Sequence, residues 1–320
     1  MNINIIEKRN NSEDKPISKL FLKNKINNDN IKVENSFCYE EMLAIFLSET
    51  KHLKLSKENF FSQSVNAKLL FDTVYDFFKD LDDELFHTFC SLFINKDKNV
   101  IFIPNNPLQN NNGVTYLNKN NISIKIFRYK TIEDIFTLVH EYGHAINMKK
   151  HPNLYNNNVR KDFEEIESIF LELILCDFLE NYGFDKVDVQ EVRKQIVENL
   201  IADTNDLYFK YQINKFIHQQ GIKNIDNEFY RELYRIKNIS KSLLREKYRY
   251  SFDVLAKYVI GTLYSFELYD RFQLNKSKTI SMYKEITNLD LYTNMDYIDV
   301  MESKLIVPNE SDAFIRTLKK

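Results

Sequence analysis

Two histidines stand four positions apart in the stretch DIFTLVHEYGHAI (134–146), and a glutamate directly follows the first. On an α-helix, positions i and i+4 share a face, so His140 and His144 are placed to reach one metal ion. Glu141 projects about 100° away around the same helix. It is therefore suited to take a proton from a water molecule that the metal activates. The stretch predicts half of a metal site together with a general base.

Zinc fits this donor set, because two neutral imidazoles and one carboxylate leave a fourth position open for water. The same ligands also accept cobalt or manganese. We expect the missing carboxylate from the next helix, which begins DFEEIES and carries Glu164, Glu165 and Glu167 in its first turns. The alternative interpretation is that the helix dipole alone satisfies these carboxylates. The apolar face predicted to pack against the histidine helix comprises Ile166, Ile169, Phe170 and Leu173.

The elements that must position these groups are mostly helical. Apolar residues at three- and four-residue steps predict helices over 38–94, 162–183, 187–219, 226–237 and 251–273. Thr131 is the predicted N-cap of the histidine helix, and Gly183 the predicted C-cap of the next one. NVIFIP (99–104) predicts a short buried strand, and GVTYLNKNNISIKIFRY (113–129) predicts a hairpin. We therefore expect a mainly α fold with a small β-sheet or hairpin beside the HExxH helix.

Composition narrows the class of protein. The 320 residues are 43% hydrophobic and 28% charged, and five glycines and five prolines favour long helices over turn-rich sheet. A net charge of −2 argues against a nucleic-acid binder. No apolar run approaches the ~18 residues of a membrane span. Cys38, Cys90 and Cys176 lack CxxC spacing and indicate reduced thiols in the cytoplasm. Residues 1–36 are a predicted polar leader, and 37–320 a single catalytic domain.

DIFTLVHEYGHAI, followed by DFEEIESIFLE (162–172), resembles the catalytic signature of the thimet oligopeptidase and oligoendopeptidase F family of zinc metallopeptidases. The resemblance implies that His140, His144 and Glu165 are the zinc ligands and that Glu141 is the general base. Two residues depart from the family pattern, since Glu167 stands where proline is frequent and Asn147 where methionine or histidine is frequent. The positions that complete the helix pattern are Phe163, Ser168 and Glu172.

Two further regions resemble the same family. The hairpin corresponds to an edge strand that pairs with the substrate backbone in those enzymes, and a purely structural hairpin is the alternative. In EKYRYSFDVLAKYVIGTLYS (246–265), Tyr258 falls in a Lys-Tyr-x-x-Gly pattern of the family. Tyr248 occupies the position of a usual histidine, with Tyr250 nearby. The resemblance implies that these tyrosines stabilise the oxyanion, whereas a role in packing alone is the alternative.

The resemblance implies a zinc-dependent peptidase with one Zn²⁺ per chain, acting on oligopeptides, with a dedicated peptide-processing enzyme as a special case. Members of the family are longer and close two helical lobes around a channel, so we expect a shallower or more open cleft here. The alternatives are a minimal peptidase and one whose cleft a homo-oligomer or a partner protein completes. One alternative is a catalytically impaired peptide-binding or scaffold protein, which the tyrosine at position 248 favours. Another is a helical structural protein with an accidental motif, but this leaves Glu165 unexplained.

Overall fold

The computed structural model describes residues 61–104, 113–118, 121–152, 165–220, 227–247 and 252–288, together with positions 43, 46, 47 and 50. Several sequence predictions concern residues outside this part of the chain. They are the polar leader over 1–36 and the individual residues Cys38, Phe163, Glu164, Tyr248 and Tyr250.

Helices dominate the described residues, so the prediction of a mainly α fold is confirmed. They are α1 (Ala67–Leu81), α2 (Asp83–Phe93), α3 (Lys96–Asn99), α4 (Glu133–Lys150), α5 (Ile166–Tyr182), α6 (Lys186–Gln219), α7 (Asn227–Lys237), α8 (Lys241–Lys247), α9 (Phe252–Leu274) and α10 (Lys276–Ile286). None of them combines the length and the apolar character that crossing a lipid bilayer would require, within the residues described.

Local sequence explains where several helices begin and end. The side chains of Asn66 and Asp82 accept hydrogen bonds from backbone N–H groups in the first turns of α1 and α2. Gly183 ends α5 in the left-handed region, with φ of 98°, as predicted for a C-cap glycine. These caps satisfy backbone groups that the helices leave unpaired at their ends.

The sheet contains β1 (Val100–Pro104), β2 (Gly113–Asn118) and β3 (Asn121–Arg128), in the order β1-β3-β2. β2 and β3 are antiparallel and form the predicted hairpin, whereas β1 joins β3 in parallel. The prediction that β1 is buried is wrong for most of its length, since Val100 is buried but Ile101 is 42% exposed. β1 lies at the edge of the described sheet, and this position leaves it more exposed than a central strand. The edge also accommodates Pro104, which has no backbone N–H to donate.

The start of α4 differs from the prediction. Thr131 does not cap the helix, because its hydroxyl donates to the carboxylate of Glu133 at 3.2 Å. The buried carboxylate of Asp134 instead accepts hydrogen bonds from the N–H groups of Tyr129 and Lys130 and pairs with Arg128 at 3.1 Å. Asp134 thereby fixes the turn between β3 and α4, and thus the angle at which the histidine helix leaves the sheet.

Helix α4 packs against aromatic rings from α1 and α2 and against α5. The ring of Tyr142 meets that of Phe89 edge-to-face at 4.9 Å, and Phe89 stacks on Phe78 at 4.4 Å. A Cβ on Gly143 would lie 2.5 Å from the carbonyl oxygen of Glu167, so only glycine permits this approach of α4 to α5. The predicted packing of α5 against the histidine helix is confirmed.

The described residues divide into two compact units. Residues 61–197 and 260–288 belong to the first unit, which contains the sheet, α4 and α5. Residues 198–259, with the described positions 43–50, belong to the second, whose core includes Phe216, Phe229 and Leu244. A single domain over 37–320 stays a prediction.

Candidate metal centre

Three predicted ligands lie together, and they come from two consecutive helices. The Nε2 atoms of His140 and His144 are 3.3 Å apart. The Oε2 atom of Glu165 lies 3.5 Å from Nε2 of His140 and 3.8 Å from Nε2 of His144. Atoms bound tetrahedrally at about 2.0–2.1 Å from a zinc ion lie roughly 3.3–3.4 Å from one another. The spacing of these donors therefore fits a zinc ion among them.

The outer nitrogen of each imidazole faces a carboxylate of α5. Nδ1 of His140 is hydrogen-bonded to Oε1 of Glu172, and Nδ1 of His144 lies 3.4 Å from Oε2 of Glu167. A proton on each Nδ1 satisfies these carboxylates and leaves the lone pair of each Nε2 directed at Glu165. This tautomer is the one that a metal ligand requires.

The same carboxylates shift the histidine pKa values. Burial alone would lower the pKa of His140, but the charge and hydrogen bond of Glu172 outweigh it and raise the pKa. Burial likewise opposes the shift at His144, where the hydrogen bond to Glu167 and the charge of Glu165 raise the pKa to about 9. The same carboxylates would also favour a divalent cation at this position, and such a cation would compete with protons for the Nε2 lone pairs.

Glu165 occupies the N-cap position of α5, yet its carboxylate makes no capping hydrogen bond to that helix. The dipole alone therefore does not account for its orientation, which is towards the two imidazoles. Its side chain is only 2% exposed. Its backbone is held because the N–H of Ile169 and the hydroxyl of Ser168 donate to its carbonyl oxygen at 2.9 and 3.1 Å.

Glu141 projects from α4 towards strand β2 rather than towards the three ligand atoms. Its carboxylate oxygen Oε2 accepts a hydrogen bond from the hydroxyl of Thr115 at 2.6 Å. The residue is 5% exposed, and this burial raises the pKa of its carboxyl group. A buried carboxylate of raised pKa, adjacent to the donors but outside them, is suited to accept a proton.

The predictions for the other site residues have different outcomes. Glu167 supports His144 and is not part of the three-donor cluster. Tyr258 belongs to the second unit, where it is partly buried and its ring lies 5.1 Å from the ammonium group of Lys257. Its role at the oxyanion stays a prediction. Tyr248 and Tyr250 lie outside the described residues.

Sequence reasoning missed the supporting roles of Glu172 and Thr115. Glu172 follows Glu165 by seven positions, which is two helical turns on one face, so the helical period was a usable signal for a shared role. Thr115 had no such signal. Its contact with Glu141 joins a strand to a helix 26 positions later and depends on how the two pack.

No protein-family model matches the chain, and no curated protein matches it. Solved structures do. A protein described as oligoendopeptidase F from Bacillus anthracis superposes with a TM-score of 0.57 at 13% identity, covering 92% of this chain and 55% of that one. A protein described as a peptidase from Chlamydophila abortus gives a TM-score of 0.55 at 15% identity, covering 95% of this chain and 55% of that one. PZ peptidase A, solved with an inhibitor, gives 0.55 at 13%, covering 91% and 57%.

These similarities show that the chain has the oligoendopeptidase-like fold, which is the helical zincin-like peptidase fold. The resemblance read from the HEYGH stretch is thereby confirmed at the level of fold. The chain spans a little over half of the length of these structures.

Proposed function

We propose that this chain is a zinc-dependent peptidase that hydrolyses oligopeptides. One observation carries the proposal: two imidazole nitrogens and a carboxylate oxygen, all within 4.8 Å of one another, lie beside a buried carboxylate that is not one of the three. A helical accident would give two histidines on one face but not the third donor from α5. The peptidase fold of the structural neighbours supports the same conclusion.

His140, His144 and Glu165 would hold one zinc ion per chain. A zinc ion bound there acts as a Lewis acid that makes water nucleophilic at neutral pH and polarises a peptide carbonyl. The chain contributes the orientation of the donors, since Glu172 and Glu167 fix the two rings. Cobalt or manganese would occupy the same donors.

Glu141 is the proposed proton carrier. Its carboxylate accepts a proton from the attacking water and then delivers it to the nitrogen of the departing amine. Burial raises the pKa of this carboxyl group, which makes the carboxylate a stronger base than an exposed glutamate. We propose Tyr258, Tyr250 and Tyr248 as hydrogen-bond donors to the developing oxyanion, as the family resemblance implies.

The proposed substrate is an oligopeptide that adds to the sheet as a further strand. Among the described strands, β2 pairs on one side only, with β3. Gly113 and Thr115 of β2 contact Glu141, so a peptide aligned along β2 would run past the proposed base. Backbone hydrogen bonds of this kind select extended chains rather than particular side chains.

We propose the cytoplasm as the compartment, because the thiols of Cys90 and Cys176 are free. The chain covers a little over half of its structural neighbours, and we propose that a second copy or a partner protein completes the substrate cleft. A dedicated peptide-processing role is part of the same proposal.

The test compares cleavage of quenched fluorescent peptides by the zinc-loaded protein and by its Glu141→Gln variant. We expect cleavage by the wild type, retained zinc in both proteins, and loss of most activity in the variant. Glu232→Gln is the matched control, since it alters an exposed carboxylate paired with Arg235. Equal, slow cleavage by all three proteins would favour the impaired peptide-binding protein. Absence of bound metal after zinc soaking would contradict the metal site itself.

A further inference from the structure

Strand β2 holds the carboxylate of Glu141 from two positions. The hydroxyl of Thr115 lies 2.6 Å from Oε2 of Glu141 and 3.0 Å from the carbonyl oxygen of the same residue. A hydroxyl has one proton to donate, and an ionised carboxylate is the stronger acceptor. The distance from the Thr115 hydroxyl to Oε2 of Glu141 lies within the roughly 2.5–2.7 Å expected of a charge-assisted O–H···O⁻ bond.

Gly113 makes the second contact. Alternate residues of a strand share a face, so Gly113 and Thr115 both face α4. A Cβ at position 113 would lie 2.7 Å from Oε1 of Glu141 and 2.9 Å from its Cγ. The strand therefore approaches one carboxylate oxygen as closely as a glycine backbone allows, and it donates a hydrogen bond to the other.

We propose that Thr115 is a positioning residue for Glu141, and that its hydroxyl fixes the carboxylate in the orientation from which the proton is accepted. This inference rests on the proposed peptidase function. A glutamate side chain has several rotatable bonds, and holding it in one rotamer costs conformational entropy that the hydrogen bond offsets. Without the hydroxyl, the carboxylate is free to leave that orientation.

The competing explanation is that Thr115 only joins β2 to α4, through a hydrogen bond from its hydroxyl to the backbone carbonyl oxygen of Glu141. The two explanations predict different effects of removing the hydroxyl while keeping the shape. A joining role would lower stability and leave the turnover of folded protein unchanged. A positioning role lowers the kcat of fully folded protein and leaves zinc binding nearly unchanged.

The experiment uses the full-length, zinc-loaded chain and three variants. Thr115→Val keeps the shape and loses the hydroxyl, whereas Thr115→Ser keeps the hydroxyl. Ser123→Ala is the control, since it removes a strand hydroxyl from β3, where Ser123 pairs with Tyr116 on the opposite face. We expect Thr115→Val to lower kcat about ten- to a hundred-fold, as loss of a charged hydrogen bond does. The KM and the zinc affinity should stay close to wild type, and the variant should stay fully folded at the assay temperature.

Rescue by the conservative variant decides the proposal. Thr115→Ser should retain most of the wild-type kcat, and in a Glu141→Gln background Thr115→Val should lower the residual rate no further. Equal rates for the valine and serine variants would overturn the proposal, as would a loss of activity explained by a lower melting temperature. Gly113→Ala supplies a second variant, with loss of kcat expected at unchanged zinc affinity.

A readout without turnover separates this inference from the proposed function. In metal-free protein, the effects of Thr115→Val and Glu141→Ala on the free energy of unfolding should fail to add, because each change removes one end of the same hydrogen bond. Additive effects would overturn the positioning role even if the chain is a peptidase. Coupling in a protein that cleaves no peptide would leave the hydrogen bond established and reject the peptidase.

Discussion

Gly261 of α9 lies so close to Glu165 that a Cβ at position 261 would be 2.7 Å from the Cβ of Glu165 and 3.2 Å from its carbonyl carbon. Two of the three nearest atoms belong to the backbone, which has little freedom to yield. This glycine thus sets how closely α9 approaches the residue that supplies the proposed carboxylate ligand.

We expect Gly261→Ala to weaken zinc binding although position 261 supplies no ligand. The added methyl displaces Glu165, and misplacing one ligand costs about ten- to a hundred-fold in metal affinity, comparable to loss of a supporting partner. Competition with a chelating dye measures the effect. On helix propensity alone, alanine would stabilise α9 by about 0.5–1 kcal/mol. Unchanged zinc affinity together with a raised melting temperature would contradict the prediction.

Loss of the Glu172 carboxylate should loosen His140. Glu172→Gln keeps the size of the side chain but removes the charge that favours the Nδ1 proton, so we expect zinc affinity to fall about ten-fold or more. Glu180→Gln serves as the control on the same helix, since Glu180 lies 3.6 Å from Arg193 rather than near an imidazole. Equal zinc affinities of the two variants would show that Glu172 does not act through His140.

Removing the metal should lower thermal stability. A cation that binds only the folded chain stabilises it by about 2.7 kcal/mol when present at a hundred times its Kd. In addition, Glu165 and Glu141 are buried carboxylates that lose a neutralising charge when the cation leaves. Calorimetry with and without a chelator measures the change. The melting temperature of Glu165→Ala should not respond to zinc, and a response as large as that of the wild type would place the ion elsewhere.

Tyr258→Phe tests the predicted oxyanion donor. The change removes one hydroxyl, and we expect kcat to fall about a hundred-fold if that hydroxyl donates to the oxyanion. The KM and zinc content should change little, because neither depends on that donor. Tyr234→Phe is the control, as its side chain is 59% exposed. Similar kcat values for the two variants would assign Tyr258 to packing.

The ion pairs of Glu84 should matter little. Lys150, at the end of α4, and Lys284, in α10, hold the pKa of Glu84 down at about 2 and link α2 to these two helices. A lowered carboxyl pKa contributes stability above pH 4.5, its ordinary value, that is lost as the pH falls through about 2. The Glu84 side chain is 59% exposed, so solvent screening limits the contribution to about 1 kcal/mol or less.

We therefore expect Glu84→Gln to lower the free energy of unfolding slightly at pH 7, and less at high salt. Urea unfolding at two salt concentrations measures this effect. Zinc affinity should be unchanged, and a large salt-independent loss of stability would contradict the screening argument.

Features that depend on local spacing were predictable from the sequence. The i, i+4 pair of histidines, the helices and the Gly183 cap follow from short-range geometry. Glu165 was selected among neighbouring glutamates only through the family resemblance. The parallel pairing of β1 with β3 was not predictable, because it skips the strand between them in sequence. The start of α4 was not predictable for a similar reason. The geometry of the turn before the helix, where Asp134 binds the N–H groups of Tyr129 and Lys130, decides which groups the Thr131 hydroxyl meets.

The five side chains that bind or support the proposed cation, His140, His144, Glu165, Glu167 and Glu172, fall within 32 positions of one another along the chain. One pair of adjoining helices, in contact at Gly143, thus contains all the proposed ligands and the two carboxylates that support them. The proposed chelating unit is therefore a local motif, whose donors come from neighbouring segments rather than from distant parts of the chain.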